Sequence, residues 1–454
     1  MRTRKACRRE WLRGCVVAAV VLAGVCGQEH AWAQEPPVPA VPRVSVRHAL
    51  AAFLDHTDAI IAIRKGWFDE VGIEIVPKPH GRVLPSGERA ANLIAGTVDT
   101  VSSGVYNLMP AMGKARNLRI FVEKDLSVGY RIMAQPDMGY KNFSEFIKEG
   151  VPQAEAFKRT VAQLRGKTIA YLSEPSREQF IELVYRRGGL SKAEIDSIKT
   201  INVDDSQTVA LMVSGRADFQ FSGAPGMAEL MKRGFKPILS AYELVRMARP
   251  SADSEELLTI LRVGWATTAE FYERNRDTIL RMASVVYRIA RFNKEQQEES
   301  LAINVPFLNS VAGSQMTLDY GKWAYNEFHP FYTFEDQEDW YENPQSVFYY
   351  KYEVGARIRD AERKGILKPG DIDVETVLLA PDVYRELKGL KAKTQPLIND
   401  VKGRIDQARK SGKDVTRAQE LLTKAEHFFA NYNFLDAYRF TQAALAWADF
   451  STRR

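Results

Sequence analysis

From residue 44 onward, short apolar runs alternate with segments whose apolar residues recur at three- and four-residue spacing. The runs predict strands and the spaced segments predict helices. Strands are expected over 44–54, 73–76 and 98–101. Between them, helices are expected over 58–70, with Ile60, Ile61, Ile63, Trp67 and Phe68 apolar, and over 86–94. Gly72 breaks the first helix, and Gly96 stands where a left-handed cap would end the second. The alternation returns with strands over 167–172, 198–203 and 218–221. The intervening helices, 176–187 and 206–213, stop at Gly188-Gly189 and Gly215. Strand, helix and strand in this rhythm predict an α/β fold.

The two halves echo each other. Leu93-Ile94-Ala95-Gly96-Thr97-Val98-Asp99 runs on to Ser102-Ser103-Gly104, and Met212-Val213-Ser214-Gly215-Arg216-Ala217-Asp218 runs on to Ser222-Gly223. Each reads as a helix, a capping glycine, an aspartate entering a strand, and a Ser-Gly turn at the strand's carboxyl end. Ligands of open α/β sheets sit beyond those ends. Two facing lobes would therefore aim both turns into one cleft.

Past residue 240 the pattern turns helical, most strongly over 269–295. Residues 328–352 are dense in aromatics, which points to packing. Residues 391–410, 415–430 and 434–448 carry apolar positions at helical spacing, separated by Ser411-Gly412 and Asn431-Tyr432-Asn433. They predict a small appended bundle, serving either as a stabilising cap or as a docking element.

Composition changes the picture mainly at the amino end. The chain has 454 residues, 45% hydrophobic and 26% charged, which is ordinary for a globular protein. Residues 1–33 hold a basic region, a short apolar run and Ala31-Trp32-Ala33, the pattern of a cleaved export signal. Arg8-Arg9 is compatible with twin-arginine export as well as the general secretory route. All three cysteines (Cys7, Cys15, Cys26) lie in this leader, so a mature chain of 421 residues has no disulfide, thiolate metal site or cysteine nucleophile. Without the leader, 57 basic residues face 55 acidic ones, too balanced a charge to hold a phosphate backbone. A periplasmic location follows, with no nucleic-acid partner. The proposed organisation is a signal over 1–33, a proline-rich linker over 34–43 and the first part of lobe 1 over 44–125. Lobe 2 follows over 126–240, then the return to lobe 1 with the aromatic segment over 241–390, and the bundle over 391–454.

Candidate chemistry lies in turns at strand ends. Hydroxyls, backbone N–H groups and helix starts there suit a small polar ligand. Ser102, Ser103 and Gly104 meet that description, as do Ser173, Glu174 and Ser176, with Ser176 a natural helix N-cap. Ser222 and Gly223 hold the matching place in the other lobe. Asp55 and His56 lie just past the first strand, where a carboxylate pairs with an amine or amidine-like ring. Tyr106 and Trp265 are candidates for stacking, with core packing the simpler role. Arg82 and Arg177 are anion candidates, with a solvated surface role the simpler one. The five histidines of the mature chain show no metal-ligand spacing, and no hydrolase, P-loop or dinucleotide motif occurs. No cofactor, metal or catalytic residue is therefore expected.

Residues 53–75 (FLDHTDAIIAIRKGWFDEVGIEI), together with 93–104, 164–170 (LRGKTIA) and 211–225, carry a resemblance. In that order they resemble type II periplasmic substrate-binding proteins of the nitrate, sulfonate, taurine and thiamine-pyrimidine group, the receptors of ABC importers. The Asp55-His56-Thr57 loop is similar to the Asn-His-Thr of the thiamine-pyrimidine members and departs from it at Asp55. The resemblance implies a two-lobed type II periplasmic binding fold, here with a C-terminal α-helical extension. It also implies a monomer that binds a small organic solute of pyrimidine, sulfonate or nitrate type and delivers it to an inner-membrane ABC permease. Enzymes of pyrimidine-precursor synthesis share the fold but rely on cysteine and histidine clusters, which the mature chain lacks. A sensor or interaction protein docking through its helical tail is the other reading.

Overall fold

The computed structural model describes residues 35–221 and 224–453. The expected leader and Ser222-Gly223 lie outside these residues.

The first sheet is built from β1 (Val44–Leu50), β2 (Ile73–Val76), β3 (Arg82–Val83), β4 (Thr100–Gly104) and β5 (Leu118–Ser127). The second takes β6 (Arg131–Ala134), β7 (Thr168–Tyr171), β8 (Lys199–Asn202), β9 (Phe219–Phe221) and β10 (Lys236–Ser240). The chain then returns to the first sheet with β11 (Leu261–Thr268). The orders are β2-β1-β4-β11-β5, with β3 also on β1, and β10-β6-β9-β7-β8. In each sheet the helix-connected strands pair in parallel: β1 with β2 and β4, and β7 with β8 and β9. The crossing strands pair antiparallel, with β11 between β4 and β5 and β6 between β10 and β9. Two segments, 128–130 and 241–260, carry the chain between lobes.

Local chemistry explains most of these elements. The expected helix over 58–70 is two, Ala59–Arg64 and Trp67–Glu70, because Gly66 turns left-handed at φ 71°. Gly96 and Gly215 adopt φ 65° and 69° just after their helices. The expected N-cap role of Ser176 falls to Glu174, since Pro175 takes the first position of the helix Pro175–Arg187. The Ser-Gly turn expected at 102–104 is strand instead. Ser102, Ser103 and Gly104 pair with Trp265, Gly264 and Val263 of β11, a partner that arrives from far along the chain.

The first lobe's core lies between its sheet and the helix Arg276–Glu295. The second lobe has its own core around Phe157, Phe180 and Phe221. A third cluster joins the lobes through Leu54, Met133, Met212, Met227, Leu301 and Phe328, so the two are closed on each other. The tail consists of the helices Ala380–Lys410, Thr416–Ala430 and Phe434–Arg453. These share a core of Ile398, Val401, Leu421, Phe428 and Phe440. No helix among the described residues is long and apolar enough to cross a membrane.

Candidate functional site

Where the lobes meet, a narrow cleft is lined from both sides. The first lobe supplies Phe53, Asp55 and His56 from the loop after β1, Asn107, and Phe328 and His329. The second supplies Glu174 and Arg177 from the start of the helix Pro175–Arg187, and Tyr130 stands at the crossing between them. Phe53 and Glu174 also border a wider outer groove with Ser173, Asp205 and Tyr320.

The loop after β1 is held from beneath. The Thr57 hydroxyl contacts Phe53 O at 3.0 Å and Asn304 Oδ1 at 2.8 Å, and Asn304 Nδ2 donates to Leu54 O at 2.8 Å. Thr57 is fully buried and serves the loop rather than the cleft. Below it, Lys124 of β5 donates to Asp55 O, to Asp58 Oδ2 at 2.7 Å and to Asp125 Oδ2 at 2.9 Å. Burial works against the Lys124 charge, but Asp125, Asp58 and Asp55 outweigh it and raise the ammonium above its usual range. Burial raises the Asp58 carboxyl to about 6 despite Lys124. His329 Nδ1 lies 3.5 Å from Asp55 Oδ2 and 3.7 Å from Asp125 Oδ1. Burial alone would lower this imidazole, but Asp55 and Asp125 raise it overall.

Asp55, Asp125 and His329 each place one ligand atom within 4.8 Å of the others, the reach of a metal site. Lys124 bonds the other Asp125 oxygen, Oδ2, at 2.9 Å, so a protein cation stands beside this cluster. His56 Nδ1 meets Ser102 Oγ at 2.6 Å, and its Nε2 lies 3.8 Å from Asp55 Oδ2. The order Ser-His-Asp resembles a nucleophilic triad. Ser102 is fully buried, however, and does not line the cleft. Burial pulls His56 down to about 3, so it stays neutral and its ring is fixed by Ser102. This relay positions the loop.

On the second lobe, the Arg177 guanidinium grips Asp205 through both terminal nitrogens and sits 3.2 Å from Glu174 Oε1. At 2% exposure it is not the solvated surface arginine that local sequence suggests. Its burial cost is outweighed by Asp205 and Glu174, which raise its pKa. Tyr130 OH meets Ser176 Oγ at 2.7 Å, which spends Ser176 on the crossing segment.

Of the expected residues, Asp55, His56 and Glu174 come together on the cleft wall, and Ser173 lies on the outer groove. Ser102, Ser103 and Gly104 are interior strand residues, and Trp265 packs on His48 with ring centroids 4.2 Å apart. Tyr106 falls within the helix Val105–Met112. The residues sequence reasoning missed are Asn107, Lys124, Asp125, Tyr130, Phe328 and His329. One signal was present: Glu123-Lys124-Asp125 is a charged triplet inside an otherwise apolar run.

No family model matches the chain, and no curated protein does. Solved structures do. The periplasmic sulfonate-binding protein of Methylobacillus flagellatus is 15% identical, with a TM-score of 0.51 over 76% of this chain and 95% of its own. The alkanesulfonate-binding protein of Xanthomonas axonopodis pv. citri, solved with MOPS bound, is 13% identical at 0.51, over 75% and 99%. The ligand-binding component of an ABC-type import system from Staphylococcus aureus, solved with zinc bound, is 11% identical at 0.51, over 76% and 99%. The fold is that of the type II periplasmic binding proteins: two α/β lobes around a cleft, extended here by C-terminal helices.

Proposed function

We propose that this chain is an extracytoplasmic receptor that takes a small organic solute into the interlobe cleft and delivers it to an ABC importer. The observation that carries the reading is the cleft wall itself. Buried polar side chains from both lobes converge on it, and Glu174 Oε2 and Asn107 Oδ1 have no hydrogen-bond partner. Buried polar atoms left open are costly unless a ligand completes them. The described fold neighbours include proteins named for sulfonate binding and ABC import, which supports the same class. In this reading residues 1–33 are a cleaved export signal, the mature chain works as a periplasmic monomer, and the solute belongs to the pyrimidine, sulfonate or nitrate range. Opening about the two crossing segments admits the solute, and closure buries it.

A thermal-shift screen of residues 34–454 tests the reading. Its panel holds aminopyrimidines, sulfonates, taurine, nitrate, amines and amidines. A true ligand at one hundred times its dissociation constant adds about 2.7 kcal/mol of stability, a shift of several degrees. A flat response across the panel overturns the receptor assignment.

A further inference from the structure

The cations beside the cleft have committed most of their N–H groups, and acceptors on its wall stand without a partner. Lys124 commits its ammonium to Asp55 O, Asp58 and Asp125, which matches its three N–H bonds. Arg177 commits its terminal nitrogens to Asp205, and its Nε faces Glu174 Oε1 at 3.2 Å. Among the described residues, the buried side-chain atoms of the wall without a hydrogen bond include the acceptors Glu174 Oε2 and Asn107 Oδ1, with His329 Nδ1 beside Asp55 and that same Arg177 Nε beside Glu174. The Glu174 side chain is 9% exposed, and its unpartnered oxygen is buried. A bound oxyanion would lie against the Glu174 and Asp55 carboxylates.

Charge agrees. Asp55, Asp58, Asp125, Glu174 and Asp205 stand against Lys124, Arg89 and Arg177. Arg131, over the Phe328 ring at 4.3 Å, is the fourth cation nearby, so with His329 neutral the carboxylates outnumber the cations by one. The wall is also aromatic, with Phe53, Tyr130 and Phe328, and Arg177 and Arg131 already lie over Phe53 and Phe328 at 6.0 and 4.3 Å, as π faces attract cations.

We propose that the solute is a small organic cation bearing N–H donors, an amine or amidinium, held by Glu174 and Asp55 between aromatic side chains. The proposal rests on the receptor reading and narrows its ligand. Calorimetric titration of residues 34–454 tests it with benzamidinium, guanidinium and butylammonium chlorides. Tetramethylammonium serves as a cation without N–H groups, and sodium methanesulfonate and nitrate as oxyanions. The expected result is binding of at least one N–H cation about tenfold or more tighter than tetramethylammonium, with the oxyanions silent. Glu174→Gln should weaken that binding about tenfold in protein that still folds, since Arg177 keeps its pair with Asp205. Binding of methanesulfonate or nitrate with silent cations overturns the cation assignment and leaves the receptor standing. Equal affinity for tetramethylammonium, or an unchanged Kd in Glu174→Gln, also overturns it, as does silence from all six probes. The receptor reading itself falls only if the broad thermal screen is flat as well.

Discussion

His48 near the end of β1 is fully buried, packed at a tilt against Trp265, with Nδ1 on Thr100 Oγ1 at 2.8 Å and Nε2 unpartnered. Burial lowers its imidazole to about 3, whereas the unfolded chain titrates near 6.5. The folded value is the depressed one. The stability that neutral His48 contributes is therefore fully present above the unfolded value and is lost as pH falls toward 3. Between pH 7.5 and 5.0 the unfolded chain's proton uptake at this one site is worth about 2 kcal/mol. The stability of wild type relative to His48→Phe, measured by urea unfolding, should fall by that amount across the interval. A constant difference would show that His48 titrates in the fold as it does in the open chain. The buried charges beside the cleft follow the same logic from the other side. Lys124 is tolerable at 0% exposure only because two carboxylates and a carbonyl meet its ammonium. Such mutual neutralisation cannot be read from a sequence, in which the charged triplet Glu123-Lys124-Asp125 stands out but its partners Asp55 and Asp58 lie more than sixty positions away. That is why the loop residues Asp55 and His56 were visible as site candidates and their support in β5 was not.

The helix–glycine–aspartate–strand echo turns out to be one device used twice. Asp99 N donates to Arg47 O at 2.8 Å while Arg47 N donates to Asp99 Oδ2 at 2.8 Å. Asp218 N donates to Thr168 O at 2.9 Å while Thr168 N donates to Asp218 Oδ2 at 2.9 Å. In each lobe an aspartate clamps the entry of its strand to the parallel neighbour, at Arg47 in mid-β1 and at Thr168 at the start of β7. The parallel pairs were legible because glycine caps and aspartates punctuate them locally. The antiparallel insertion of β11 was not, because its register depends on residues more than a hundred positions away. Gly264 shows what that insertion requires. A Cβ there would lie 2.0 Å from Val122 O and 2.9 Å from Glu123 Cα, at a register shift between β11 and β5. Gly264→Ala must push two strand backbones apart and should cost more than about 3 kcal/mol. Gly215→Ala meets no atom within 4 Å and carries only the penalty of φ 69°, about 1 kcal/mol. Chemical denaturation of the two variants separates the effects. Equal losses would mean that the β11–β5 contact yields easily.

At the scale of the whole molecule, the question is whether the tail is a separate module or part of the first lobe. The helix Ala380–Lys410 runs unbroken from the lobe into the bundle, and Leu379 N at its start donates to Ile120 O of β5 at 2.8 Å. Phe334 packs against Tyr384, Tyr432 and Phe434. Tyr432 adopts φ 64°, held there by this packing and by its hydroxyl on Glu335 Oε2 at 2.8 Å. The centre of the contact is a two-pronged ion pair, with Arg281 Nε and Nη2 each 2.8 Å from Asp436, at 2% and 1% exposure. Removing one partner strands a buried charge, so Asp436→Leu should cost about 3–5 kcal/mol. Replacing both by apolar side chains removes the stranded charge, and Arg281→Met with Asp436→Leu should recover most of that loss. None of these residues lines the cleft, so solute affinity should stay at wild-type level wherever the chain is folded. Scanning calorimetry distinguishes the two arrangements. A single transition that moves down in Asp436→Leu and back up in the double variant makes the tail a cooperative part of the first lobe. A second transition appearing at low temperature, with the main one unmoved, would make the bundle an independent module, free to dock without disturbing the cleft.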